Sequence, residues 1–266
     1  MRVLLVNETL ELRGGAERYV LSVAEGLRER GHEVYLSTEP KHLDEVDIIY
    51  INNIFDPALI GRLTALGKKT VRFFHDHATY CPGTPKYWFN SKQACSIKAS
   101  PLCAYYAHKE KCLSRNPLVW WPKVWGVSEQ RRANRKIGHY VVASEFMKAQ
   151  LVLFGLDAAK ITVNPLFSAR TLLSKKRKEV TPPAILFVGR VFKEKGLEYL
   201  LQACAQLKAE YQLWVAGEGW DLERCRAVAK KLGIAPRIKF FGWVDDKILG
   251  DLYAQCRLVV VPSIWP

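Results

Sequence analysis

The sequence predicts an α/β protein with two Rossmann-like domains, each a doubly wound parallel sheet, the second of them incomplete. Short apolar runs alternate with amphipathic helical patterns along most of the 266 residues. Residues 168–183 interrupt this alternation, which resumes over residues 184–266. Strands that alternate with helices favour a parallel sheet covered by helices on both faces. We therefore predict an N-terminal domain at 1–167, a linker at 168–183 and a second, partial domain at 184–266.

The first domain begins with a strand and a helix that ends near Arg30, where Gly31 is a typical stop signal. A second helix is predicted from about Pro57 to Leu66, and a further helical pattern covers Arg131–Ile137. Ser144 is placed to cap the last helix of this domain. The strands are predicted at Val3–Val6, His32–Leu36, Ile48–Ile51, Val71–Phe74, Tyr140–Ala143 and Ile161–Val163.

The linker combines a basic run, Ser174–Lys178, with Thr181-Pro182-Pro183, which breaks helices and strands. The second domain then repeats the alternation, with strands at Ile185–Val188, Gln212–Ala216, Ile238–Phe241 and Leu258–Val261. We expect its first helix to bury one apolar face, formed by Leu197, Leu200, Leu201, Cys204 and Leu207.

Residues 77–127 form an insertion that is too long for an ordinary connection within an α/β domain. It is rich in aromatic residues, and we expect most of them to form a small core of the insertion itself. Trp120 and Trp121 beside Lys123 leave contact with the inner face of an anionic membrane as an alternative.

Four cysteines of the insertion cluster outside the α/β pattern; they are Cys81, Cys95, Cys103 and Cys112. Four thiols could bind zinc, yet no pair has the close spacing that is typical of a zinc site. We therefore favour thiols packed in a loop over a metal site. Cys204, Cys225 and Cys256 fall in helical patterns and are expected in the core.

Composition narrows the range of functions. No apolar run is long enough to span a membrane, and the acid at Glu8 comes too early for a signal peptide, so we expect a cytoplasmic protein. The odd count of seven cysteines argues against a complete disulfide framework. A formal net charge of +14 indicates anionic partners, which are phosphorylated ligands, acidic lipid headgroups or nucleic acid.

The stretch around Arg190 predicts a phosphate site. A strand ends at Gly189 and Arg190, and Lys195 follows just before a helix. Open α/β sheets bind ligands at the carboxyl ends of their strands, and helix N-termini favour anions. Gly14 and Gly15 follow the first strand and let backbone N–H groups approach a ligand. Together these residues suggest an anion held between two domains.

In these and other motifs the chain resembles the family 4 (group 1) glycosyltransferases, which are retaining, nucleotide-sugar-dependent enzymes with the two-domain GT-B fold. The matching segments follow the family's order over nearly the whole chain. They are Gly14–Arg18, Glu29–Val34, His75-Asp76, Phe187–Arg190, Glu194–Gly196, Ala216–Gly219, Phe240–Val244 and Val261–Ser263. The resemblance implies sugar transfer from a nucleotide-diphosphate donor to a glycan, lipid or small-molecule acceptor, with no cofactor and no metal ion.

The resemblance also implies a role for each site residue. Arg190 and Lys195 match the pair that holds the donor's diphosphate and stabilises charge on the leaving nucleotide. His75 matches the histidine near the transferred sugar, and Asp76 is a candidate to orient it. The residues implied in donor and nucleotide binding are Gly14, Gly15, Gly189, Gly217, Gly219, Gly242, Trp243 and Val244.

The chain departs from the family pattern after Val261-Pro262-Ser263, where two glutamates seven residues apart would follow and the sequence ends. We therefore expect these 266 residues to bind donor weakly and to transfer sugar poorly or not at all. A noncatalytic module that binds a sugar nucleotide or a partner is the main alternative. A nucleic-acid-binding protein is a further alternative that we do not favour, because the basic residues are scattered and no recognised motif accompanies them.

Overall fold

A computed structural model describes residues 1–11, 14–39, 45–167 and 180–264 of the chain. The chain divides into two compact units, Met1–Ala169 and Arg170–Pro266. Most of the predicted linker, including the basic run Ser174–Lys178, lies outside the described residues.

The strands described in the first unit are β1 (Arg2–Val6), β2 (Glu33–Ser37), β3 (Ile48–Asn52), β4 (Lys69–Phe74), β5 (Tyr87–Trp88), β6 (Gln93–Ala94), β7 (His139–Val142) and β8 (Ile161–Val163). Six of them form one parallel sheet in the order β2-β1-β3-β4-β7-β8, while β5 and β6 pair as an antiparallel hairpin. Buried apolar side chains make a separate cluster on each face of the sheet, as expected where helices cover both faces. The six strands predicted from the sequence are confirmed.

The helices described in the first unit are α1 (Gly15–Glu29), α2 (Pro57–Ala65), α3 (Leu102–Glu110), α4 (Pro117–Asn134) and α5 (Glu145–Phe154). The predicted end signals operate as expected. Gly31 has a φ of +78°, which favours glycine and ends the first helix. The Ser144 hydroxyl accepts the Met147 N–H at 3.3 Å, so it caps α5.

The insertion is more regular than the sequence indicated. It contains the hairpin, α3 and the first half of α4, so the helix expected only over Arg131–Ile137 begins at Pro117 and ends at Asn134. Helical periodicity was hard to recognise because Pro122 lies inside α4 and apolar residues occur on two faces of it. None of the helices in the described ranges combines the length and apolar character needed to cross a bilayer.

The aromatic residues of the insertion divide into two groups. Tyr87 packs on Phe89 and Trp88 stacks on Tyr106 with ring centroids 5.1 Å apart, which confirms an aromatic core for part of the set, whereas Tyr80 is buried in the main core of the first unit. Others are exposed, namely Tyr105, Trp121 and Trp125. The expectation that the aromatics form an internal core is therefore correct for the first group and wrong for the second.

The second unit has β9 (Ala184–Val188), β10 (Gln212–Ala216), β11 (Ile238–Gly242) and β12 (Leu258–Val259), with α6 (Leu197–Ala205), α7 (Leu222–Lys231) and α8 (Asp246–Gln255). The strands form a parallel sheet in the order β11-β10-β9-β12, and all four were predicted. The prediction was wrong for one residue of the buried face of α6, Leu207. Leu207 is 45% exposed because α6 ends at Ala205, before Leu207 can join its buried face.

A buried arginine connects the first sheet to the end of α4 and, by a hydrogen bond of 3.3 Å to the Thr79 hydroxyl, to the start of the insertion. Arg72 of β4 is 1% exposed; its guanidinium donates to the Asn134 side-chain oxygen at 2.7 Å and to the Ile54 carbonyl at 2.6 Å. It also lies 4.8 Å from the centroid of the Phe74 ring. Burial lowers its pKa to about 9. These contacts fix the end of α4 and the loop after β3 against the strand that leads to His75.

We expect Arg72→Met to lower the free energy of unfolding of the first unit by about 3 kcal/mol, because it leaves buried acceptors without a donor. Arg62→Met, on the exposed side of α2, is the matched control and should change it by less than about 0.5 kcal/mol. Urea unfolding of both variants measures the difference. Equal midpoints for the two variants would contradict this account of Arg72.

Candidate functional site

Backbone hydrogen bonds join the loops that follow β9, β10 and β11. The Gly189 N–H donates to the Ala216 carbonyl at 3.0 Å, and the Gly217 N–H donates to the Gly242 carbonyl at 2.7 Å. Further along, the Val191 N–H donates to the Glu218 carbonyl at 2.8 Å. The carboxyl ends of three neighbouring strands therefore form one continuous surface, at the edge where open α/β sheets bind ligands.

This surface requires glycine at two positions. A Cβ at Gly217 would lie 1.9 Å from the Gly189 carbonyl oxygen, and Gly217 also has a φ of +145°. At Gly219 a Cβ would lie 2.2 Å from the Val191 carbonyl oxygen. Because no side chain fits between these loops, a ligand at this edge would meet bare backbone. The close contacts between loops explain why glycine is needed at these two positions, and their role in donor binding stays a prediction.

The two predicted cations stand on this surface. Arg190 follows Gly189 and is exposed, and Lys195 ends a single 3₁₀ turn, Lys193–Lys195, that leads into α6. Gly196, the N-terminal cap of α6, has a φ of +73°, and a Cβ on it would lie 2.0 Å from the Pro262 carbonyl oxygen. The segment after β12 thus passes against the turn that carries Lys195. Within the second unit, the structure brings together the cations, the glycines and a helix N-terminus, an arrangement suited to phosphate.

The loop after β11 carries an exposed tryptophan and is held by a carboxylate. Trp243 is 75% exposed, and its backbone N–H donates to a Glu218 side-chain oxygen at 3.2 Å. The same oxygen would lie 3.0 Å from a Cβ on Gly242, while Val244 packs on the apolar cluster beneath. Glu218, whose side chain holds the loop after β11, was not predicted from the sequence. Its position in Gly217-Glu218-Gly219, directly after a strand, was the available signal.

In the first unit, His75 follows the carboxyl end of β4. Its Nε2 lies 3.2 Å from the Asn52 side-chain oxygen, and the Asn52 amide nitrogen lies 3.5 Å from the Tyr50 carbonyl. Because an amide oxygen accepts here, Nε2 carries the proton and Nδ1 keeps its lone pair. Burial, with a smaller effect of the Arg72 charge, lowers the pKa of His75 to about 4. The imidazole is therefore neutral at pH 7.

Asn52 is the hydrogen-bond partner of His75. The carboxylate of Asp76, the candidate to orient His75, accepts the Ala78 N–H at 2.8 Å, and its role toward His75 stays a prediction. Asn52 makes the contact because β3 and β4 are adjacent parallel strands whose carboxyl ends lie at the same edge. The signal for Asn52 was its position as the polar last residue of a buried strand.

The glycines of the first unit lie at the start of α1. Gly14 is the N-terminal cap without a side-chain cap, and a Cβ on Gly15 would meet nothing within 4 Å. The first N–H groups of a helix have no acceptor within the helix, and no Cβ stands at Gly14 or Gly15 to keep a ligand from them. Gly14 and Gly15 belong to one compact unit, and Arg190 and Lys195 to the other, so the predicted shared anion site stays a prediction.

The four insertion cysteines are all free thiols and lie partly or fully buried. Burial, reinforced by the neighbouring thiols, raises the pKa of Cys112 to about 12, and Cys95 accepts from the Lys86 ammonium at 3.7 Å. Across the described ranges, no three His, Cys, Asp or Glu side chains are arranged to hold a metal ion. The burial of these thiols agrees with the packing favoured from the sequence, and the expected absence of a metal ion stays a prediction.

Residues 169–265 match the family of glycosyl transferases group 1. A stretch of 109 residues is also 32% identical to lipopolysaccharide 1,6-galactosyltransferase of Salmonella typhimurium, covering 40% of this chain and 30% of that enzyme. The Escherichia coli K12 enzyme of the same name is 29% identical over 155 residues, which are 56% of this chain and 42% of that enzyme. The chain thus aligns with less than half the length of these relatives.

The fold is similar to that of the Anabaena protein Alr3699/HepE, whose crystal structure is in complex with UDP. The TM-score is 0.66 at 14% sequence identity, over 99% of this chain and 74% of that one. At this identity the likeness concerns the fold. It confirms the predicted class, an α/β protein of the GT-B type with parallel sheets.

We expect Gly217→Ala to lower the free energy of unfolding of the second unit by about 2 kcal/mol or more, since the new Cβ would collide with the Gly189 carbonyl. Gly250→Ala is the matched control, because Gly250 lies within α8 and a Cβ there meets nothing within 4 Å. That control should leave stability unchanged or raise it by up to about 1 kcal/mol. Thermal unfolding compares the two, and a Gly217→Ala variant as stable as the control would refute the close contact.

Proposed function

We propose that the protein is a glycosyltransferase that moves a sugar from a nucleotide-diphosphate donor to an acceptor, with retention at the anomeric carbon. The observation that carries the proposal is the placement of Arg190 and Lys195 on a surface of glycine backbone at the carboxyl ends of the second sheet. The group 1 match over the same unit supports it. Neighbouring structures with UDP and UDP-glucose favour a uridine-diphosphate sugar as the first donor to test.

In this proposal the second unit stabilises the leaving nucleotide. A glycosidic bond to a diphosphate breaks with negative charge developing on the phosphate oxygens, and cationic side chains held near them lower the energy of that charge. A guanidinium can donate two parallel hydrogen bonds to a phosphate, while an ammonium acts as a point charge. Arg190 would therefore orient the diphosphate, and Lys195 would add to the charge stabilisation.

His75 would act as a hydrogen-bonding group near the transferred sugar. Its neutral imidazole has Nε2–H directed to Asn52, so Nδ1 is the atom left to accept from a sugar hydroxyl. A noncatalytic module that binds a sugar nucleotide remains the competing proposal. Release of free sugar from the donor is compared between this chain and a version extended through the two glutamates of the family pattern. An enzyme should release sugar faster in the extended form, whereas a binding module would release none in either form.

We expect UDP to stabilise the protein against thermal unfolding and Arg190→Ala to weaken UDP binding by about tenfold or more, because a charge-assisted hydrogen bond is lost. Arg226→Ala removes the same charge from α7, away from the strand ends, and should bind UDP as the wild type does. Thermal-shift titrations with UDP, GDP and ADP measure these affinities. Failure of all three to stabilise the wild type, or equal affinities for the two variants, would contradict the donor site.

We also propose that the insertion contacts the inner face of an anionic membrane, which suits a lipid-linked acceptor. Leu118, Trp121 and Trp125 follow one another at helical spacing along α4 and are 84%, 51% and 61% exposed. Tryptophan and leucine on an exposed helix face are typical of interfacial helices. This exposed set is called the α4 stripe below.

The charge around the α4 stripe fits the same partner. From Ser91 to Ser128 the sequence contains six Lys or Arg residues and one acid, Glu110. Glu110 is buried and accepts the Ser91 hydroxyl at 2.7 Å. The insertion therefore presents apolar and cationic groups together, the combination that anionic lipid headgroups attract. A cavity of about 310 Å³ between α4 and the loop after β4 is a candidate for the acceptor's sugar.

We expect the wild type to bind vesicles that contain phosphatidylglycerol, and the triple change Leu118→Ser, Trp121→Ser and Trp125→Ser to weaken this binding by about tenfold or more. The control replaces three exposed apolar residues of the second unit, Leu207, Leu232 and Ile248, by serine. Vesicle co-sedimentation at low and high salt measures both. Equal binding by the triple variant and the control would exclude the α4 stripe as the membrane contact.

A further inference from the structure

Phe192 lies between the two cations in sequence and is connected to both in the structure. Its N–H donates to the Arg190 carbonyl at 3.0 Å, which forms a tight turn around the fully buried Val191. This turn brings the Phe192 ring beside the side chain two residues earlier, and the Arg190 guanidinium carbon lies 4.9 Å from the ring centroid. A guanidinium at this distance is attracted to the aromatic face.

The same residue also fixes the turn that carries the second cation. The Phe192 carbonyl accepts the Lys195 N–H at 2.9 Å, which closes the 3₁₀ turn before α6. Phe192 thus contacts Arg190 through its ring. It contacts Lys195 through its backbone carbonyl.

The loop after β10 supports the ring from a second direction. Trp220 stacks on Phe192 with ring centroids 5.8 Å apart and an interplanar angle of 21°. Gly219 makes room for this, because a Cβ there would lie 2.8 Å from Phe192 Cδ1. The Asp221 N–H donates to the Val191 carbonyl at 3.2 Å, so the two loops are also joined through their backbones.

Burial in the core does not explain this stack. Trp220 is 67% exposed, and Phe192 is only partly buried. A large aromatic residue that gains so little burial contributes little to the core. The Phe192–Trp220 stack instead contacts the Arg190 guanidinium. Without this contact, the Arg190 side chain would sample many rotamers in solvent.

We propose that Phe192, supported by Trp220, is a positioning residue that holds Arg190 in the orientation needed to meet a diphosphate. This inference rests on the proposed donor site. Preorienting a guanidinium removes part of the entropy cost of binding, so the ring acts on affinity without touching the ligand.

The first test measures UDP affinity in a double-mutant cycle. Phe192→Leu is expected to weaken UDP binding about fivefold in the wild-type background and to have no further effect when Arg190 is already alanine. Phe192→Tyr, which keeps the ring, should retain wild-type affinity, and Trp220→Leu should lose part of it. The same fold-loss for Phe192→Leu in both backgrounds would overturn the proposal, since the ring would then act on the whole fold and not through Arg190.

The second test needs no ligand and therefore separates this proposal from the donor site. The ring current of Phe192 should shift the Arg190 Nε–H resonance in the NMR spectrum of the unliganded protein. Phe192→Leu should return that resonance to the range of a solvated arginine, and Phe192→Tyr should not. A wild-type resonance already in the solvated range would refute the positioning role, even if UDP binds.

Discussion

The close approach of Gly217 to the Gly189 carbonyl is the constraint on which the candidate site depends. It lets the loops that follow β9, β10 and β11 pack together at one edge of the sheet, joined by backbone hydrogen bonds. Any side chain at Gly217 would separate the loops, and Arg190 would then stand on a different surface. The shape of the candidate site is therefore set by backbone contacts that need glycine, and Arg190 and Lys195 add positive charge to that surface.

In the first unit, the end of β4 is held in place by a buried charge and not by a glycine contact. Arg72 holds the loop after β3 and the end of α4, and it leads along β4 to His75. A buried guanidinium is costly unless its donors are paired, so these partners must stay in place whenever the unit is folded. The insertion is consequently part of the site's support as well as a surface feature.

The sequence was sufficient for the sheets and much less so for the insertion. Strands such as β9 and β10 are mostly apolar runs between clear end signals, and each was predicted close to its observed ends. α4 was not, because Pro122 and its solvent-facing tryptophans hide the amphipathic period that a helix normally shows. Arg190 and Lys195 could be placed from their motif. The roles of Asn52 and Phe192 were not predicted. That of Asn52 arises from a contact between neighbouring strand ends, and that of Phe192 from a local turn, and periodicity encodes neither.

The charges of the two units fit different parts of the proposed reaction. Burial, with a smaller effect of Arg72, keeps His75 neutral at pH 7, so it adds no positive charge where the sugar would lie. Arg190 is exposed at a strand end with its guanidinium held by a ring, which suits a group that must meet an anion from solvent. A neutral histidine can only accept or donate a hydrogen bond. Stabilisation of developing negative charge would therefore fall to the second unit, and orientation of the sugar to the first.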